Sequence, residues 1–266
     1  MAGRNALEWT IHAIPILADN YAWALVDGAE AIVIDPGESA PIEAWLDARS
    51  LNLGAVMLTH HHGDHIEGMP ALLDRWPQAG TFGPNDRRIA GLGFRVAHGD
   101  CIQPAGDSSP AFDVLEIPGH TSSHIAFHGH GLVFCGDTLF SAGCGRMFEG
   151  SAEQMLRLLD TLADLPAETR VCCGHEYTAA NCAFAVVADP DNSELPGFRE
   201  QTQAKRREGR PTLPSTIAVE RAVNPFLRID TRGVRDTLIG NGLMHEHASR
   251  IEAFAALRGW KDTFRG

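Results

Sequence analysis

Lysine occurs only twice in the 266 residues, at 205 and 261, and tyrosine only at 21 and 177. No apolar run approaches the ~20 residues that a membrane-spanning helix requires, so no bilayer-embedded helix is expected. The first eight residues lack the basic and then apolar order of a secretory leader, which makes the cytoplasm the expected location. None of the six cysteines, at 101, 135, 144, 172, 173 and 182, lies in a Cys-x-x-Cys pair. Reduced thiols are therefore expected, rather than a disulfide framework or thiolate metal sites. Positive charge is scarce in most of the chain: the net charge is −12, with 9 Arg/Lys against 22 Asp/Glu in residues 1–175 and 13 against 12 in residues 176–266. Nucleic acid or an anionic membrane would need a broad basic face, so neither is an expected partner. An anionic substrate must draw positive charge from bound metal or from the C-terminal part. There is no repeat of fixed period and no low-complexity tract.

What is present is an ordinary globular composition, 44% hydrophobic and 21% charged, on a chain long enough for one large domain or one large and one small. Short β-branched or apolar runs at 22–26, 31–35, 55–59, 112–117, 132–137 and 170–174 read as strands. Helical patterns fall between several of them. Residues 41–49 carry Pro41 in the first turn, residues 66–76 place Met69, Leu72, Leu73 and Trp76 on one face, and Ser151-Ala-Glu-Gln154 opens 155–162 as a capping box. From Glu176 onward strand signals stop, and a basic run at 205–210 precedes the proline-bearing link 211–214. The expected class is α+β, with a domain boundary near Glu176 dividing residues 1–175 from 176–266.

The densest chemistry is Thr59-His60-His61-His62-Gly63-Asp64-His65, directly after a predicted strand. Neutral imidazoles and a carboxylate suit Zn²⁺, and also iron or manganese, because they offer lone pairs without a thiolate. In an extended turn His60 and His62 point the same way, Asp64 and His65 toward a neighbouring position, and Gly63 permits the bend. Three further candidates follow other predicted strands: His120 in Pro118-Gly119-His120-Thr121, Asp137 after Leu132-Val-Phe-Cys-Gly, and His175 after Val171-Cys-Cys-Gly174. Strand ends are where open α/β sheets place sites. Seven ligands in four loops match two four- or five-coordinate ions bridged by a carboxylate and a solvent oxygen. His61, alternating with its neighbours, is expected to point away. His124 is a candidate for support behind the ligands, and Asp35 in Asp35-Pro36-Gly37 either orients a liganding imidazole or simply starts a turn.

On these residues the chain resembles the metallo-β-lactamase superfamily, whose H-x-H-x-D-H signature, second glycine-histidine, bridging aspartate and last histidine fall on His60/His62/Asp64/His65, His120, Asp137 and His175. Within it the chain resembles the glyoxalase II (hydroxyacylglutathione hydrolase) family along nearly its whole length. The segments that carry this are Leu17-Ala-Asp-Asn-Tyr21, Leu139-Phe-Ser-Ala-Gly-Cys-Gly-Arg146-Met-Phe148-Glu-Gly150, Cys173-Gly-His175-Glu-Tyr177-Thr178 and Leu257-Arg258-Gly-Trp-Lys261-Asp-Thr-Phe264. The resemblance implies an αββα sandwich followed by a smaller α-helical C-terminal domain that binds glutathione. It implies two divalent ions, zinc first and iron or manganese as alternatives, one held by His60, His62 and His120 and the other by Asp64, His65 and His175, with Asp137 between them. It also implies glutathione contacts at Arg146, Tyr177, Arg258 and Lys261, a D-lactoyl acyl group, and a place in methylglyoxal detoxification. One familiar version of the family has Lys and Tyr where Arg146 and Phe148 stand here, so the charge is kept and a hydroxyl is lost.

General chemistry agrees with a thioester substrate. A water between two dications loses a proton near neutral pH and becomes a nucleophile, while the same ions polarise a carbonyl. A thiol, with a pKa near ~8.5, leaves as thiolate without a dedicated general acid. Arg258 and Lys261, three apart on a helical ending, can present two cations to the two carboxylates of glutathione, or form an ordinary solvated face. Tyr177 either reaches substrate or packs as an aromatic, and Cys144 is read as a packing residue. A mononuclear iron persulfide dioxygenase of the same fold is the nearest rival, but it needs only two histidines and one carboxylate. A β-lactamase or lactonase has no use for the basic C-terminal part, a nuclease needs a basic face, and structural zinc closes its shell with four ligands. A monomer is expected.

Overall fold

The structure, a computed structural model, describes residues 9–107 and 109–265. Residues 1–8, read above for a leader, lie outside the described residues. Two compact units are present, one made of the described residues through Glu116 with Ser123–Gly136, the other of Ile117–Ser122 with the described residues from Asp137 onward. Among the described residues no helix is long and apolar enough to cross a membrane.

The first unit opens with β1 (Thr10–Ile16), β2 (Asn20–Asp27), β3 (Glu30–Ile34), α1 (Ser39–Asp47), β4 (Asn52–Met57), α2 (Gly63–Ile66), α3 (Met69–Arg75), β5 (Gly80–Pro84) and β6 (Phe94–Val96). These six strands form one sheet in chain order, antiparallel from β1 to β3 and parallel from β3 to β6. Ala22, Ala24, Val33 and Val56 on one face join Ile42 and Leu46 of α1 and Met69 and Leu72 of α3 in one buried cluster. Trp23, Leu25, Ile32 and Ile34, which alternate with them, are buried equally deeply. Burial on both faces explains why β2 to β4 read as nearly continuous apolar runs instead of a polar/apolar alternation. The unit continues through β7 (Cys101–Ile102), β8 (Phe112–Glu116), β9 (Ile125–Gly129) and β10 (Leu132–Gly136), paired antiparallel in that order.

The second unit contains the hairpin β11 (Leu139–Phe140) and β12 (Gly143–Cys144), then α4 (Ala152–Ala163), β13 (Arg170–Cys173), α5 (Thr178–Ala188), α6 (Glu194–Arg207), β14 (Ser215–Thr216), α7 (Ile217–Val223), α8 (Arg232–Gly240) and α9 (Arg250–Thr263). The capping box at Ser151 forms: its hydroxyl accepts from the Gln154 amide at 3.2 Å, and Gln154 Oε1 accepts from the Ser151 amide at 2.9 Å. Ser249 and Glu252 start α9 in the same way. Helix α4 packs on α7 and α9, and α5 on α6 and α8. Phe226 lies between Phe184 and Phe254, with ring centroids 6.2 and 5.9 Å away. All six cysteines are free thiols, and only Cys101 is exposed.

Several boundaries differ from the sequence expectation for identifiable reasons. Strand β4 ends at Met57 instead of residue 59, because the Thr59 amide donates to the Asp35 carboxylate (2.8 Å) rather than to a neighbouring strand. Strand β10 ends at Gly136, whose φ of +46° turns the chain before Asp137. The helix expected over 66–76 is two helices, since Pro70 favours a new first turn and the Gly68 amide donates to the Pro36 carbonyl at 2.8 Å. Edge strand β1 escaped notice because Pro15 interrupts its pattern, which an edge tolerates. The part after Glu176 is not free of strands, because β14 pairs with β13. Leu46→Ala, in the fully buried cluster, is expected to lower the unfolding free energy by about 2–5 kcal/mol, read as a lower urea midpoint at unchanged slope.

Candidate active site and metal centre

In the first unit, the loop after β4 and the short helix α2 carry the densest histidine cluster. Its foundation is Asp35, buried at the end of β3 with a left-handed φ of +54°. One Asp35 oxygen accepts the Thr59 amide at 2.8 Å, and the other accepts the Thr59 hydroxyl at 2.7 Å and faces His65 Nδ1 at 3.1 Å. A carboxylate only accepts, so His65 carries its proton on Nδ1 and presents a lone pair on Nε2. Thr59 gives its own hydrogen to Asp35, so at 3.0 Å its oxygen accepts from His60 Nδ1, and His60 Nε2 is likewise a lone pair. That atom lies 3.1 Å from His62 Nδ1. His65 Nε2 lies 3.6 Å from Asp64 Oδ2, and Asn20 donates to the same oxygen at 2.9 Å. Asp35, His60 and His65 together offer three ligand atoms within 4.8 Å, but both Asp35 oxygens already accept protein hydrogen bonds. Asp35 therefore both makes the turn and orients the imidazoles, which unites the two readings left open for it.

His61 turns to Asp86, 3.4 Å from its Nδ1, where Asp86 also accepts from Arg88 and Ser123. The Arg88 guanidinium holds the Asp86 carboxyl far below the usual carboxylate range. His124 is buried with its ring 4.5 Å from that of His60. A Cβ on Gly136 would run into Thr59 Oγ1 and come within 2.6 Å of His124 Nε2, so only glycine fits behind the cluster.

In the second unit, His120 donates from Nδ1 to the Arg146 carbonyl at 2.9 Å, again leaving Nε2 as the lone pair. Asp137 Oδ2 lies 3.5 Å from His120 Nε2 and 3.2 Å from His175 Nε2, so one carboxylate oxygen faces two imidazoles. The His175 ring stacks on Tyr177 (4.6 Å, 8°), and Phe140 meets both rings edge-on. A Cβ on Gly145 would collide with the Asp137 carbonyl, which explains glycine in that turn.

The donor chemistry of both units fits divalent cations. Protein acceptors occupy the outer nitrogens of His60, His65 and His120, so each inner nitrogen is a neutral lone pair, the form that binds a metal. The first unit brings together His60, His62, Asp64 and His65, and the second brings together His120, Asp137 and His175.

Four expected substrate contacts all belong to the second unit. Arg146 is 63% exposed and reaches Asp262 at 3.4 Å. Arg258 is only 4% exposed; it donates to the Cys144 carbonyl at 2.7 Å and to Asp262 at 3.0 Å, over the Phe226 ring. It is thus a packed cation rather than part of a solvated face. Lys261 lies over Phe184 and Phe264 and donates to the Ala180 carbonyl at 3.4 Å. Burial pushes its pKa down, and the cations of Arg258 and Arg146 add to the effect. Tyr177 packs through its ring as described. Phe148 is 62% exposed with its ring 5.2 Å from that of His120. Burial raises the Cys144 thiol pKa, as befits a packing residue. Thr59 and Asn20 were missed as orienting residues, and only the position of Asn20 beside a strand start could have hinted at it.

The family model for the metallo-β-lactamase superfamily matches residues 18–90 and 106–175, and that for the hydroxyacylglutathione hydrolase C-terminus matches residues 176–264. A solved structure of ETHE1 from Myxococcus xanthus superposes with a TM-score of 0.63 at 25% identity, over 94% of this chain and 97% of that one. Fold and site thus define a divalent-metal-binding hydrolase with the αββα metallo-β-lactamase sandwich and a helical C-terminal domain. A curated hydroxyacylglutathione hydrolase of Xanthomonas euvesicatoria pv. vesicatoria is 49% identical over 95% of this chain and 98% of its own length. One from Cupriavidus metallidurans is 46% identical over 96% and 99%. The chain belongs to the hydroxyacylglutathione hydrolase family of thioester hydrolases.

Asp35→Ala removes the acceptor for Thr59 and His65 without removing a proposed ligand. The expected result is a loss of roughly 10–100-fold in metal affinity by chelator competition.

Proposed function

We propose that the chain hydrolyses S-(2-hydroxyacyl)glutathione, S-D-lactoylglutathione above all, to D-lactate and glutathione, as a cytoplasmic monomer serving methylglyoxal detoxification. In this reading residues 1–175 are the catalytic domain and residues 176–266 the glutathione-binding domain. Two divalent ions would be held, one by His60, His62 and His120, the other by Asp64, His65 and His175, with Asp137 available to both. Zinc is the first choice, with iron or manganese accepted by the same donors. The observation that carries the reading is the fixed tautomer of His60, His65 and His120, which aims three neutral Nε2 atoms inward. Such ions, when bound, polarise the thioester carbonyl and bring the pKa of a coordinated water toward ~7.

The protein's own groups do the remaining work. Asp64 and Asp137 supply the negative charge that offsets the cations, and Asn20 keeps Asp64 turned toward His65. Asp35 and Thr59 prevent the imidazoles from rotating. Arg146 and Lys261, with Arg258 beneath them, attract the carboxylates of glutathione, and Tyr177 borders the acyl end. Departure of the thiolate needs no proton donor, in keeping with a centre built of ligands and cations.

Steady-state hydrolysis of S-D-lactoylglutathione tests this directly. The metal-loaded protein turns it over, and chelator-stripped protein and Asp137→Ala do not; absence of turnover by metal-loaded protein would sink the substrate assignment. Arg258→Ala is expected to raise KM about 10–100-fold, ~1.4–2.8 kcal/mol, and also to lower the melting temperature because its guanidinium is buried. Lys261 loses its proton as pH rises, and its lowered pKa brings that loss below the usual lysine range. KM is therefore expected to climb at a pH below the one at which an ordinary lysine loses its proton, and Lys261→Arg to postpone the climb to higher pH.

A further inference from the structure

Glu220 is a fully buried carboxyl on α7, far in sequence from every proposed ligand. It accepts the Ser141 hydroxyl at 2.9 Å and the Ala142 amide at 2.8 Å, both in the turn of the β11–β12 hairpin. Asn224, which caps the C-terminus of α7 and is equally buried, donates to Glu220 at 3.1 Å and to the carbonyls of Phe140 (3.1 Å) and Gly143 (2.9 Å). Asn181 of α5 donates to the Ser141 carbonyl at 3.0 Å, and Arg258 of α9 to the Cys144 carbonyl. Side chains from three C-terminal helices thus meet the backbone of every residue from Phe140 to Cys144. A two-stranded hairpin of this size has little stability of its own, and the turn residue Ala142 is held at a φ of +54°.

The two ends of that hairpin lead into the metal centre. Asp137 precedes β11 by two residues, and the Gly145 amide after β12 donates to the Thr138 carbonyl at 3.0 Å. The next residue, Arg146, provides the carbonyl that fixes the tautomer of His120. We infer that Glu220, with Asn224, is a positioning residue for the metal centre: through the hairpin it sets the placement of Asp137 and His120. A carboxyl is suited to this place because it accepts from several donors at once, and because burying it is costly unless those donors are aligned. Burial raises its pKa, and the Ala142, Ser141 and Asn224 donors oppose that rise.

The inference rests on Asp137 and His120 being metal ligands, so the test includes Asp137→Ala as a reference. Glu220→Gln, Ser141→Ala and Asn224→Ala are compared with the parent protein for affinity for Co²⁺ by chelator competition, visible spectrum of the Co²⁺ form, melting temperature, and kcat against KM. Glu220→Gln is expected to weaken retention of the more loosely held ion by about 10-fold or more, to shift the Co²⁺ spectrum, and to lower kcat with KM nearly unchanged. Ser141→Ala, which removes one donor and leaves the others, is expected to move the same readouts in the same direction but less. A fall in melting temperature with parental metal affinity and spectrum in all three variants would make Glu220 an ordinary brace and overturn the inference. Asp137→Ala with parental metal affinity would instead overturn the ligand assignment.

Discussion

Asp35 holds the histidine cluster of the first unit with a single buried carboxylate in a left-handed backbone conformation. Its two oxygens fix Thr59 and His65, and Thr59 passes the constraint to His60. The rest of the loop depends on that chain of hydrogen bonds, because an imidazole with a freely exchanging tautomer presents a lone pair to a cation only part of the time. The strained φ at Asp35 is of the kind that persists only where surrounding structure over-determines it. Here the amide and hydroxyl of Thr59 do so.

The His120, Asp137 and His175 cluster of the second unit follows the same logic with different parts. His120 takes its orientation from a backbone carbonyl instead of a carboxylate, and that carbonyl lies at the end of a hairpin whose polar groups are met by α5, α7 and α9. The C-terminal helices α5, α7 and α9 thus anchor the hairpin that carries this carbonyl. Arg258 illustrates the point: its guanidinium stacks over Phe226 and anchors Cys144, so its charge is fixed by packing before any substrate arrives.

Much of this was legible in the residues themselves. Metal chemistry restricts ligands to few residue types, and the strand-end positions of His60, Asp137 and His175 followed from apolar runs that burial on both faces makes conspicuous, that of His120 from the alternating pattern of Phe112–Glu116. The capping box at Ser151 was equally plain, because its spacing is local. What escaped notice depends on partners distant in sequence. Thr59 looks like the last residue of a strand, Asn20 like a turn, and Glu220 like one more acid on a helix, until folding surrounds each with donors or acceptors. Arg258 reads as a surface cation because a helical pattern alone does not reveal the cysteine carbonyl and phenylalanine ring that bury it. The split at Gly68 was present in the sequence as Gly-Met-Pro, but the apolar periodicity across it was the stronger signal.

We propose that His60, His62, Asp64, His65, His120, Asp137 and His175 together hold two ions. A crystal structure of the metal-loaded protein, with anomalous maps collected at the metal edge, tests it most directly. Two peaks about 3.5–4 Å apart are expected, one against His60, His62 and His120, the other against Asp64, His65 and His175, with Asp137 touching both. A single peak bound by two histidines and one carboxylate, under saturating metal, would contradict it.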